Sequence, residues 1–231
     1  MTAGTFRLDL MDLEDIAEVG RVEKRCFSNP WPQSAYRREL RYPEQNYYIV
    51  LRDLTGEGRA VEDAANIGSS RRRLSRLVSS FARKSDAPPE GPAIAGFAGM
   101  WVMYEEAHIT TIGVDPVYQG QGLGEVLFAA LIEEAINRDA VRVSLEVRVS
   151  NRIAQRLYEK YGMSVQGTRP RYYTDNGEDA WVMVSPSLRD PAFLANFDER
   201  RAMLLERMGE RLLDTPLLPF DIAVETPESV E

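Results

Sequence analysis

A glycine-rich turn between an apolar strand and an apolar helix limits the folds open to this chain more than any other segment. The strand pattern ends at Val114, and the helix pattern runs from about Gly122 to Asp139. Between them lies a run of small and polar residues, Gln119, Gly120, Gln121, Gly122, Leu123 and Gly124. At such a helix start, backbone N–H groups converge on an anion and the helix dipole attracts it. The turn is therefore typical of a phosphate site, although a tight helix start without a ligand has the same composition.

Strand and helix patterns on both sides of this turn predict one mixed α/β domain. The predicted strands lie at about 6–10, 47–51, 93–104, 107–114, 141–149, 164–168 and 180–184. Two helices are predicted to end near residue 27 and near residue 161. Three more are predicted at about 33–41, 122–139 and 191–213. We expect the domain to occupy residues 5–185, and a C-terminal extension, 186–231, to add the last helix and a loose acidic tail.

An insertion interrupts this domain at residues 55–92. Its composition shifts to Gly, Ser, Ala, Pro and charged residues, and it is longer than an ordinary loop, so we expect it to be mobile. Within it, residues 71–84 place apolar side chains at helical spacing among arginines and a lysine. This pattern indicates a basic amphipathic helix, which either rests solvated on the domain or contacts RNA, the ribosome or a membrane surface.

Composition and charge exclude several classes of protein. The formal net charge of −8 argues against general nucleic-acid binding, which needs a basic surface. One cysteine, Cys26, and one histidine, His108, leave no cluster spaced for a metal ion. No apolar run is long enough to span a bilayer and the first residues do not resemble a signal peptide, so we expect a cytoplasmic protein without a membrane span.

Three segments and two short motifs together carry a family resemblance. The segments are ThrThrIleGlyValAspProValTyrGlnGlyGlnGlyLeuGly at 110–124, LeuGluValArgValSerAsn at 145–151 and AlaGlnArgLeuTyrGluLysTyrGlyMet at 154–163. The motifs are ProTrp at 30–31 and ArgTyrTyr at 171–173. In this combination the chain resembles the GNAT superfamily of N-acetyltransferases, and within it the RimI-like enzymes that acetylate protein N-termini. The resemblance covers about residues 6–185 apart from the insertion, and such enzymes generally lack both the insertion and the C-terminal extension.

The resemblance implies a GNAT fold, in which a mixed, mostly antiparallel sheet is splayed between its fourth and fifth strands and carries helices on both faces. It also implies acetyl-CoA as the co-substrate, with no metal. The pyrophosphate would lie on the backbone amides of residues 119–124, and the pantetheine arm would lie along Ile112, Gly113 and Val114. Asn151 would help to hold the arm, although its position equally fits a helix cap.

Glu146 and Tyr158 match the catalytic residues of the family. By the resemblance, Glu146 accepts a proton from the substrate amine and Tyr158 donates a proton to the departing thiolate. The residue pattern also allows Glu146 to be a surface charge paired with Arg142 or Arg148, and Tyr158 to be a buried core residue. His108 has no partner visible in the sequence, and we interpret it as structural.

The resemblance also points to a protein N-terminus as the acceptor. An α-amino group has a pKa of about 7.7 to 8, against about 10.4 for lysine, so a carboxylate suffices to deprotonate it near neutral pH. Trp31, Tyr172 and Tyr173 would contact the first residues of the peptide, and an acidic protein suits the basic tail of a ribosomal protein. Two alternatives stay open, which are acetylation of a small-molecule amine or antibiotic, and a non-catalytic regulator that binds acyl-CoA.

Overall fold

The computed structural model describes residues 4–56 and 91–213. Seven strands form one sheet: β1 Phe6–Leu10, β2 Asn46–Asp53, β3 Ala93–Met103, β4 Glu106–Val114, β5 Arg142–Arg148, β6 Ser164–Tyr173 and β7 Glu178–Val184. The helices are α1 Ile16–Cys26, α2 Gln33–Glu39, α3 Leu123–Asn137, α4 Arg152–Lys160 and α5 Pro191–Met208. The helix predicted for residues 71–84 and the predicted acidic tail lie outside the described residues.

The sheet is mixed and opens in its middle. Its strand order is β1-β2-β3-β4-β5-β7-β6, and every neighbouring pair is antiparallel except β4 and β5. These two parallel strands pair only from Glu106 with Arg142 to Ile109 with Leu145. Beyond that point β4 continues beside β3, whereas β5 continues beside β7. The predicted splay between the fourth and fifth strands is confirmed.

Helices cover both faces of the sheet, as the alternation of buried side chains requires. In β2, Tyr47, Ile49 and Leu51 belong to a large core that includes side chains of α3, α4 and α5. Tyr48 and Val50, which point to the opposite face, pack in a smaller core with α1 and α2. The prediction of helices on both faces is therefore confirmed.

The C-terminal helix α5 packs into the large core of the domain. Its buried side chains are Phe193, Phe197, Leu204 and Met208, and burial of each contributes roughly 1.5 to 3 kcal/mol. The Asp190 side chain caps the helix by accepting a hydrogen bond of 2.9 Å from the Ala192 N–H. After the helix, the N–H of Leu213 donates to the carbonyl of Phe6, so the chain returns to β1. The described part of the extension is thus joined to the domain at both of its ends.

Two elements differ from their predicted bounds. Strand β6 continues to Tyr173 instead of ending near 168, and its pairing with β7 is irregular around Arg171, whose φ is 51°. Helix α5 ends at Met208 instead of 213, because Gly209 has a positive φ of 50° and begins a short 3₁₀ turn. In the described part of the chain, every helix is too short or too polar to cross a bilayer.

Candidate active site

The separation of β4 and β5 opens a cavity of about 690 Å³. Several residues predicted from the sequence line it together: Trp31, Ile112, Glu146, Asn151, Tyr158, Tyr172 and Tyr173. They come from the α1–α2 connection, from β4, β5 and β6, and from the start and middle of α4. The sheet therefore gathers residues that lie up to about 140 positions apart in sequence around one space.

Glu146 lies in β5 with a side chain that is only 7% exposed. Its Oε2 is 3.1 Å from Nε2 of His108, and its Oε1 is 2.9 Å from Nη2 of Arg169. Burial raises the pKa of this carboxyl, but the hydrogen bond from His108 and the charges of His108 and Arg169 outweigh burial and lower the pKa below its ordinary value. Glu146 is therefore ionised at neutral pH.

The alternative that pairs Glu146 with Arg142 or Arg148 is wrong. Arg148 donates to Asp175 at 2.9 Å and to Glu178 at 3.2 Å, and its guanidinium lies over the ring of Tyr173. Arg142 lies at the exposed start of β5. The sequence pattern suggested Arg148 and Arg142 as partners of Glu146 only because they lie two and four positions away on the same strand. The actual partners come from β4 and β6, and long-range pairing brings them close.

His108, which we interpret from the sequence as structural, has partners that no local pattern reveals. Its Nδ1 lies 2.8 Å from Oγ of Ser144, and its ring stacks on Trp101 at a centroid distance of 4.9 Å. Ser144 in turn hydrogen-bonds to Glu106, which is exposed. A chain of polar contacts thus runs from Glu146 through His108 and Ser144 to the surface. Only the parallel register of β4 and β5 reveals these contacts, because it sets His108 opposite Ser144.

Tyr158 lies in α4 with 8% of its surface exposed, and it both packs in the core and borders the cavity. Its ring centroid is 4.9 Å from that of Phe128. Burial, followed by the proximity of Tyr173, raises the pKa of its hydroxyl above the ordinary value. The side chain therefore carries its proton at neutral pH. Its packing fits the core interpretation, and its position at the cavity also allows it to act as an acid.

Asn151 is the N-cap of α4. Its Oδ1 accepts a hydrogen bond of 3.2 Å from the N–H of Ala154, so the helix-cap interpretation is confirmed. The same residue lines the cavity. A role in holding the pantetheine arm stays a prediction, because the cap explains the residue without a ligand.

Exposed aromatic side chains border the cavity. Tyr172 is 43% exposed and Trp31 is 37% exposed. Tyr172 and Tyr173 lie at the end of β6, ahead of the last strand β7 as predicted, with ring centroids 5.2 Å apart. The N–H of Trp31 donates to Oε1 of buried Glu23 at 3.1 Å, which fixes the connection that carries it. An aromatic surface thus borders the same cavity as Glu146.

The glycine-rich turn follows the C-terminal end of β4, beyond Ile112, and lies outside the lining of this cavity. Gly120 and Gly122 have φ values of 77° and 84°, and Gly122 is the N-cap of α3. A Cβ at Gly120 would meet no atom within 4 Å, so the left-handed backbone and not crowding requires glycine there. Buried Asp115 holds the turn by accepting hydrogen bonds from Arg25 and from the N–H of Val117. The backbone amides that begin α3 are thereby held at a fixed helix start.

The described residues contain no cluster of three His, Cys, Asp or Glu side chains that could hold a metal ion. A sheet that opens between two parallel strands, beside a glycine-rich helix start, defines the class of N-acetyltransferases that use acyl-CoA. The chain belongs to the acetyltransferase (GNAT) family, whose sequence pattern matches residues 16–163. Members of this family use acetyl-CoA.

Within this family, the chain is similar to RimI-like enzymes. The chain is 36% identical over 174 residues to the putative ribosomal protein bS18-alanine N-acetyltransferase of Bacillus subtilis, covering 75% of this chain and 90% of the relative. It is 33% identical over 191 residues to the N-alpha-acetyltransferase RimI of Mycobacterium tuberculosis, covering 79% and 95% of the two chains. The crystal structure of the ribosomal-protein-S18-alanine N-acetyltransferase from Escherichia coli matches with a TM-score of 0.57 at 27% identity, covering 79% of this chain and 94% of that one.

Proposed function

We propose that this chain transfers the acetyl group of acetyl-CoA to the N-terminal α-amine of a protein, with a ribosomal protein as the natural acceptor. The observation that carries the proposal is the setting of Glu146, an ionised and nearly buried carboxylate in a cavity bordered by exposed aromatic side chains. The names of the relatives, alanine N-acetyltransferases of ribosomal protein bS18, support this class of acceptor. The acidic net charge of −8 suits a basic peptide tail.

Glu146 takes the role of general base. An α-ammonium group with a pKa near 8 loses its proton to a carboxylate or to water held by one much more readily than lysine does. His108 holds the carboxylate in place, and the contacts through Ser144 give the proton a route towards the surface. The neutral amine then attacks the acetyl carbon while the bond from carbon to sulfur breaks. Tyr158, which keeps its proton at neutral pH, donates it to the leaving sulfur. The nitrogen releases its remaining extra proton as the amide forms, and a proton from water restores the Tyr158 hydroxyl.

The residues present fit acetyl-CoA, which supplies the activated acetyl thioester. The edge of β4 beyond Ile109 is not paired with β5, so residues 112–114 can hydrogen-bond to an extended amide-containing arm. Asn151 lies at the same cavity and would contact this arm. The amides of residues 119–124 would receive the pyrophosphate at the start of α3.

The test is acetyl transfer from labelled acetyl-CoA to a short peptide with a free N-terminal alanine, with spermidine as the competing acceptor. Wild-type protein should acetylate the peptide, and Glu146→Gln should lower kcat/KM by about 10²-fold because the base is lost. Glu105→Gln, which removes a carboxylate 73% exposed at the β3–β4 turn, is the matched control and should leave the rate unchanged. Equal rates for wild type and Glu146→Gln, or a preference for spermidine, would overturn the proposal.

A further inference from the structure

The phosphate-binding turn has no cationic side chain of its own. Residues 115–137, which include the turn and the whole of α3, contain no lysine or arginine, and three glutamates lie on the helix at Glu125, Glu133 and Glu134. Coenzyme A carries a pyrophosphate and a 3′-phosphate, which are ionised at neutral pH. Backbone amides and a helix dipole attract such groups, yet sites for multiply charged phosphates normally add arginine or lysine.

The cations come from elsewhere in the fold. Nη2 of Arg207, near the end of α5, lies 2.6 Å from Oε2 of Glu125 and 3.5 Å from the position of a Cβ on Gly122. Nη2 of Arg211, in the 3₁₀ turn that follows, donates to Oε1 of Gln121 at 2.6 Å. Both guanidinium groups therefore touch the turn. The 3₁₀ turn and α5 lie beyond residues 16–163, the part of the chain that matches the family pattern.

The local balance of charge favours an anion. The carboxylate of Glu125 contacts two cations, Arg207 and Lys160, and Arg211 adds a third cation at the neighbouring Gln121. The Arg207 side chain is 48% exposed, so its guanidinium is open to a ligand in solvent while Glu125 holds it in place. Two cations thus contact Glu125 and a third contacts Gln121, at the start of a helix whose dipole also attracts negative charge.

Contacts other than those of these two arginines also dock α5 on the domain. The helix is held by four buried apolar side chains, as described above, and by a buried contact of 3.0 Å between Arg201 and Glu133. Arg207 and Arg211 lie beyond the middle of this contact, at the end that meets the turn.

We infer that Arg207 and Arg211 are phosphate-binding residues for coenzyme A, so that the C-terminal extension completes the co-substrate site. This inference rests on the proposed placement of the coenzyme A phosphates at residues 119–124. Guanidinium groups suit the task because they remain charged and offer two parallel donors to phosphate oxygens. The extension then has a function in every catalytic cycle, whatever the acceptor.

The test compares the affinity of coenzyme A and of pantetheine, which lacks phosphate, for wild type and variants by titration calorimetry. Arg207→Gln and Arg211→Gln should each raise the Kd for coenzyme A by about tenfold, the equivalent of one charge-assisted hydrogen bond, and leave the Kd for pantetheine unchanged. The double variant should also show a weaker dependence of the coenzyme A Kd on salt concentration. Arg189→Gln removes an arginine 59% exposed at the other end of the extension and is the matched control.

A structural role alone would lower the melting temperature of the variants without ligand and weaken both ligands equally, which would overturn the inference. An unchanged or lower Kd for coenzyme A would also overturn it, the latter by showing that the extension obstructs the site. Because calorimetry needs no acceptor, a selective loss of coenzyme A affinity would support the inference even if peptide acetylation failed. Absence of coenzyme A binding to wild type would remove both the inference and the proposed function.

Discussion

At the scale of single residues, the site depends on a carboxylate that stays charged while nearly buried. Glu146 loses contact with water, which disfavours its charged form, and regains stabilisation from His108 and Arg169. Because its pKa is lowered, Glu146 is ionised throughout the range in which an α-amine titrates. The rise of activity with pH should therefore follow the substrate amine and not the enzyme carboxylate.

Removing the hydroxyl oxygen of Tyr158 separates the packing of its ring from its proposed role as a proton donor. Tyr158→Phe keeps the ring in the core and removes the hydroxyl, so we expect kcat to fall by about 10²-fold while stability changes by no more than about 1 kcal/mol. Steady-state kinetics with a free N-terminal peptide and thermal melts measure the two effects. Tyr161→Phe is the control, since its hydroxyl bonds Glu125 at 3.0 Å, and it should reduce stability more than turnover. Full turnover in Tyr158→Phe would leave this tyrosine a core residue only.

Sequence reasoning singled out the candidate catalytic residues but not their neighbours. Glu146 could be assigned to the polar face of β5 because buried and polar residues alternate along that strand. His108 and Arg169 could not be assigned to it, because they lie 38 and 23 positions away and approach only through the pairing of β4, β5, β7 and β6. A local pattern therefore suggested the wrong arginines.

At the scale of elements, α5 meets α3 through a buried carboxylate. Glu133 is 3% exposed, and its Oε2 has no hydrogen-bond partner within the described residues, although Arg201 lies 3.0 Å from Oε1. Burial outweighs the attraction of Arg201 and raises the pKa of Glu133 to about 7. The helix contact thus contains a group that resists ionisation.

This raised pKa predicts how stability depends on pH. Between about pH 4.5 and 7 the folded chain retains a proton on Glu133 that the unfolded chain has lost, so the free energy of unfolding should fall as pH rises, by up to about 3 kcal/mol. Denaturant unfolding of Glu133→Gln should lack this contribution, while Glu134→Gln on the same helix should retain it. Identical pH slopes for wild type and Glu133→Gln would contradict the prediction.

Elements with strong periodicity could be predicted well, and irregular ones could not. The apolar residues of α3 and the strand hairpin β3–β4 follow directly from spacing, and their predicted bounds agree with the structure to within a few residues. The extension of β6 to Tyr173 was missed because its residues are mostly exposed and its pairing with β7 is shifted twice. Buried residues do not recur at a regular spacing in this strand, so the sequence pattern could not show where it ends.

At the scale of the whole molecule, the parallel contact between β4 and β5 organises the function. The contact lasts only from Glu106 to Ile109, and the space beyond it becomes the cavity. The sheet order and this short register depend on long-range pairing, which the family resemblance implied and which single-residue patterns do not encode. The described part of the extension runs from Asp139, whose carbonyl accepts a hydrogen bond from Arg189, to the glycine-rich turn, which Arg211 contacts.

The central claim is that the acetyl group is transferred to an N-terminal α-nitrogen, and one peptide can test it. The peptide carries a free N-terminal alanine and an internal lysine, and after incubation with acetyl-CoA and wild-type protein near pH 7.5, fragmentation by mass spectrometry locates the acetyl group. Because a carboxylate base suffices for an amine of pKa near 8 and not for one near 10.4, the acetyl group should lie on the α-nitrogen of the alanine. Acetylation mainly on the lysine ε-nitrogen would contradict the account.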